Sequence, residues 1–140
     1  MWGFFQMVNK SILNDLYTNA GSQKQTEARQ YVMKKKVNIT KVIYDDENNF
    51  EIKARVKGTD QRFYDTYFQA KNGELEDLSC DCQEYKENYG ACEHLVATMM
   101  EFASNSEYVK IFKKEENKEN NAKSELIKVI IQLIILQALL

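Results

Sequence analysis

Cys80 and Cys82 enclose one residue, a nine-residue spacer follows, and Cys92 and His94 enclose one more. These positions hold every cysteine and the only histidine of the 140-residue chain. Thiolate and imidazole are ligands that zinc takes tetrahedrally, with sulfur at about 2.3 Å and nitrogen at about 2.0 Å. Three cysteines and one histidine complete that sphere, so a single zinc ion here is expected to be structural, with no open position for water or substrate. Residues two apart on an extended segment leave from the same face, so Cys80 and Cys82 can grip one ion together. Two apart on a helix they would diverge by about 200°, which predicts Cys92 just before a helix and His94 in its first turn.

Three other chemistries compete for these residues. A disulfide between Cys80 and Cys82 would close a very tight ring, and three cysteines leave one unpaired. A nucleophile pair of Cys92 and His94 would need an orienting group and an oxyanion site, and nothing nearby proposes either. A chance cluster of small buried residues is the third. Zinc accounts for all four positions at once.

The order Cys-x-Cys, spacer, Cys-x-His, followed by Leu95-Val96-Ala97, resembles the SWIM zinc finger. The segment from about Ala28 to Val56 is similar to the region preceding the finger in bacterial helicase-associated SWIM proteins. The resemblance implies a zinc-binding interaction module that contacts protein or DNA, accessory to a Swi/Snf-type DNA-dependent ATPase. The ATPase chemistry itself cannot reside here: the five glycines are isolated, and no phosphate-cradling Gly-rich motif occurs. No catalytic constellation emerges elsewhere. Tyr64, Tyr67 and Phe68 read as sheet packing rather than a cleft, and Asp45 and Asp46 lie in a turn. The chain is therefore expected not to be an enzyme.

A chain of this length with 44% hydrophobic residues supplies one modest core. Structural zinc would reinforce it, since apparent binding energies of roughly 10–16 kcal/mol couple to folding in finger peptides. The first residues, Met1 to Gln6, have no basic lead or sustained apolar run, so no secretory signal is expected. Reduced cysteines then imply an intracellular, cytoplasmic protein. Absent proline, frequent asparagine and a lysine-dominated basic set suggest an AT-rich bacterial genome.

The elements that must position the ligands follow from periodicity, and together they predict an α+β fold. Residues 1–35 form a helical segment, with Ile12, Leu13, Leu16 and Tyr17 at helical spacing, an end at Ala20-Gly21-Ser22, and a second helix over 25–33. Residues 36–112 form the zinc-binding domain, with the finger over 78–103. Strict alternation over 50–57 marks a strand, and 37–44, 62–69 and 74–79 are three more. Short connections through 45–49, 58–60 and Asn72-Gly73 force an antiparallel four-stranded meander, the last strand delivering Cys80 and Cys82. After His94, apolar residues cover so much of 95–103 that this helix belongs inside, packed on the sheet.

Residues 113–123 carry mixed charge and no large apolar side chain, marking a linker or frayed helix. Residues 124–140 form an apolar helix in which Glu125, Lys128 and Gln132 make a narrow polar stripe on a face otherwise expected to be buried. Its apolar run is shorter than the roughly 20 residues that span a bilayer. It is expected to pack on the domain, to self-associate with another copy, or to begin a larger protein.

Charge divides the chain. From Glu74 to Glu93 seven acids face Lys86 alone, while Lys24 to Lys41 carries six bases against Glu27. Phosphate contacts dominate nucleic-acid affinity, so an acidic zinc lobe is poorly suited to DNA. Any DNA contact is expected from Arg29, Lys34, Lys35, Lys36 and Lys41, with a protein or ATPase domain as the favoured partner. Direct DNA binding by the basic stretch, or a structural role through the C-terminal helix, are the alternatives.

Overall fold

A computed structural model describes residues 7–88 and 91–139, and all of their side chains except 87, 88 and 110–122. Residues 1–6, read above for a secretory signal, lie outside the described residues. The architecture is α+β. Helices α1 (Lys10–Ala20) and α2 (Ser22–Met33) precede strands β1 (Val37–Asp46), β2 (Asn49–Lys57), β3 (Phe63–Lys71) and β4 (Glu74–Cys80). Helices α3 (Gln83–Asn88), α4 (Glu93–Ser104) and α5 (Glu107–Leu139) follow.

The strands form one antiparallel meander in chain order. Two tight turns set its register. Between β1 and β2, Asp46 accepts the Asn48 N–H at 2.8 Å and the Asn49 side-chain amide at 2.9 Å, which holds its carboxyl below the ordinary value. Between β3 and β4, Asn72 and Gly73 both have positive φ, 55° and 80°, the backbone a two-residue hairpin requires.

Alternation then sorts the faces. Phe50, Ile52, Ala54 and Val56 of β2, and Thr66, Phe68 and Ala70 of β3, are buried on the inner face. The outer strands keep this phase only through irregularities. A register shift between Ile39 and Lys41 lets Val42 rejoin Val37 and Ile39 inside. In β4 the shift lies between Leu75, opposite Ala70, and Asp77, opposite Gln69. It re-phases the strand so that Leu78 faces Phe68 and Cys80 faces Thr66, on the buried side. Without it, Leu75 and Cys80 would point to opposite faces.

Helix α4 lies across the inner face and is buried at His94 to Met99 and at Phe102. Each large apolar side chain hidden there contributes about 1.5–3 kcal/mol. Thr66 and Thr98 are polar intruders, and their hydroxyls meet at 2.7 Å while reaching the Ala54 and His94 carbonyls. Helix α2 packs on α4 from the other side, and α1 contributes Ile12 and Leu16 to the same core. Gly21, at φ 89°, joins α1 to α2 and starts α2 three residues earlier than periodicity suggested.

Helix α5 departs from expectation. Residues 113–123, read as a linker or frayed helix, are helical within it, in keeping with lysine and glutamate being good helix formers. Tyr108 and Val109 pack against the core, and the Tyr108 hydroxyl donates to Glu101 at 2.7 Å. Residues 123–139 are all exposed, with ten large aliphatic side chains from Leu126 to Leu139 between 47% and 79% open. The expectation that this helix is buried apart from its polar stripe, packed on the domain, is not met. The physical reason is that α4 already occupies the sheet's apolar face. Among the described residues no helix is long and apolar enough to cross a membrane.

Candidate metal centre

Cys80 ends β4, and Cys82 follows it on the turn into α3. Asp81 between them still pairs with β3, its carboxylate accepting the Asp65 N–H at 2.8 Å. That pairing keeps the segment extended, and Cys80 and Cys82 are both buried. Cys92 is the N-cap residue of α4, in extended geometry at φ −89° and ψ 171°, and His94 lies in the helix's first turn. The spacer contains the short helix α3, whose Tyr85 N–H reaches the Cys82 sulfur at 3.4 Å. The Tyr85 hydroxyl donates to the Leu78 carbonyl at 2.7 Å and so ties α3 back to β4.

The four ligand atoms lie within 4.8 Å of one another, and all four residues are buried. His94 Nδ1 is 3.9 Å from the Cys80 sulfur and 3.8 Å from the Cys92 sulfur. A tetrahedral site built on ordinary zinc bond lengths has edges of about 3.6–3.8 Å. The donor set therefore fits a tetrahedral ion after a contraction of at most about 1 Å along any edge, and the cluster could hold a metal. All three cysteines are free thiols, so the disulfide alternative is not realised. A hydrogen bond from Cys80, then the His94 ring and the Leu95 N–H, hold the Cys92 thiol below its usual value against its burial. The same bond to Cys92, with burial second, pushes the Cys80 thiol well above its usual value. One thiolate is thus ready for an ion, since the thiolate is the ligating form.

Residues outside the four-ligand motif orient the imidazole. Tyr64 stacks on the His94 ring at 4.5 Å between centroids, and Tyr31 tilts against it at 5.5 Å. Gly58 leaves room for this stack: a Cβ there would meet the Tyr64 ring at 2.6 Å. The second imidazole nitrogen, Nε2, faces Glu93 at 3.7 Å. Glu93 in turn lies 3.3 Å from Lys24, which also pairs with Glu84. Sequence reasoning missed Tyr31, Tyr64 and the Lys24 link. Tyr64 had a signal, since it shares its strand phase with the buried Thr66 and Phe68; Lys24 had none, because its partners lie 60 and 69 residues away.

The proposed nucleic-acid residues are not brought to one surface. Arg29, Lys34 and Lys35 are exposed at α2 and its C-terminal turn, with Lys36 partly buried beside them. Lys41 lies on β1 opposite Lys53, on the outer face of the sheet. Of the aromatic set, Phe68 is core and Tyr67 lies under Lys53 on the outer face. No protein-family model, curated protein or solved structure matches this chain.

Proposed function

We propose that the chain is a non-catalytic, zinc-binding interaction module of SWIM type, accessory to a Swi/Snf-type DNA-dependent ATPase. The observation that carries the reading is the convergence of Cys80, Cys82, Cys92 and His94 from a strand end, a turn and a helix start. Four protein ligands leave an ion no open position, which suits a structural role. Cys92 is fully buried, which supports a structural rather than a catalytic role for it.

The partner favoured is a protein. Glu74, Glu76, Asp77 and Asp81 are exposed around the metal lobe, and they disfavour phosphate. Lys24, a member of the basic stretch, is drawn back onto that lobe by Glu84 and Glu93.

The test combines metal analysis with melting. One zinc per chain, and loss of the cooperative melt on chelation, are the expected outcomes; a metal-free protein with an unchanged melt would end the reading. For DNA, salt-sensitive duplex binding that persists after Lys34, Lys35 and Lys36 are all changed to glutamine would remove the basic turn as its source.

A further inference from the structure

A cleft of about 620 Å³ opens between α2 and the β2–β3 turn. Its walls come from four places in the chain. Glu27, Gln30 and Tyr31 lie on α2, which Lys34 caps; Lys36 precedes β1; Lys57 ends β2, with Gly58, Thr59 and Gln61 in the turn that follows; and Glu93 begins α4. The walls are joined by the Lys57 N–H donating to the Lys36 carbonyl at 3.0 Å.

Three lysines, Lys34, Lys36 and Lys57, line this space, and among the described residues none of them has an ion-pair partner. The two carboxylates present are partly engaged, Glu93 with Lys24 and Glu27 with the Gln23 amide at 3.3 Å. Three ammonium groups against two carboxylates leave the concavity net positive, which favours an anion. The size falls in the range of roughly 300–1,000 Å³ that holds small ligands. That volume suits a small ligand rather than a length of duplex.

We propose that this cleft binds a mononucleotide-sized phosphorylated ligand, its phosphoryl group on Lys34, Lys36 and Lys57 and its hydroxyl or amino donors on Glu27 and Glu93. The chemistry has two sources, a free nucleotide or the phosphorylated end of a single strand. Occupancy is coupled to the metal centre, because Glu93 also faces His94, and Tyr31 packs on the same ring. The cleft does not depend on the SWIM reading, since its lysines are set by the end of α2, the approach to β1 and the end of β2.

Calorimetric titration of the metal-loaded full chain with AMP, adenosine, and single strands with or without a 5′-phosphate tests the proposal. AMP should bind saturably and adenosine at least about tenfold more weakly, the loss expected for a charge-assisted contact. Lys57→Gln and Lys34→Gln should each weaken AMP by about tenfold, while Lys41→Gln on the sheet's outer face leaves it unchanged. A 5′-phosphorylated strand binding as well as AMP identifies the strand end; AMP alone identifies the free nucleotide. No saturable binding of either up to about 10 mM overturns the proposal, as does affinity indifferent to Lys34 and Lys57. A phosphoserine peptide that binds where AMP does not would overturn it too. Metal content is measured on every variant, so a lost ligand is distinguished from a lost metal centre.

Discussion

At the residue scale, His94 is the best-determined side chain of the centre. One ring nitrogen faces two sulfurs, the other faces Glu93, and two tyrosine rings cover its planes. Partners of this kind orient a ligating histidine, and losing one costs about 10–100-fold in metal affinity. Glu93→Gln is therefore expected to weaken the metal by about tenfold while leaving the metal-loaded fold's circular dichroism unchanged. Competition with a chromophoric chelator measures it; an unaltered affinity would show that Glu93 serves Lys24 rather than the imidazole. The clustering of Cys80, Cys82, Cys92 and His94 was legible from type and spacing. The tyrosines and Lys24 were not, because long-range proximity leaves no trace in local pattern.

At the element scale, two backbone features support the centre. Gly58 is required by packing rather than by its φ, since any Cβ would enter the Tyr64 ring that His94 already backs. Gly58→Ala is expected to destabilise the domain by about 1–3 kcal/mol, the cost of overpacking, seen as a lower urea midpoint. Lys35 closes α2 in left-handed geometry at φ 56°, with its N–H on the Val32 carbonyl at 3.1 Å. Lys35→Gly is expected to raise stability by up to about 1 kcal/mol, because glycine takes that conformation without a Cβ penalty. A lower midpoint for this variant would contradict the strain argument. The hairpins were legible in their turn residues, Asn72-Gly73 above all. The irregularity in β4 was not: Leu75, Leu78 and Cys80 share a face only because the strand shifts register against Gln69 and Ala70.

At the scale of the whole molecule, one core joins α1, α2, the sheet and α4, while the end of α5 lies outside it. Truncation after Asn117 should leave the melting temperature within about 2 °C, since the exposed residues add no burial to the domain. The full chain should show concentration-dependent light scattering that the truncated chain lacks, because an apolar helix surface of this extent promotes association. Identical monomeric behaviour of the two would remove self-association through 124–140. The sequence by itself determined the Cys3His cluster, the α+β class and the meander, because each rests on local chemistry: donor type, alternation and turn residues. Tertiary structure alone decided that the end of α5 stays uncovered, that Lys34, Lys36 and Lys57 line one cleft, and that the basic helix is tied to the acidic lobe. These depend on which surfaces are already filled, and on residues made neighbours only by the packing of α2 and α4 against the sheet.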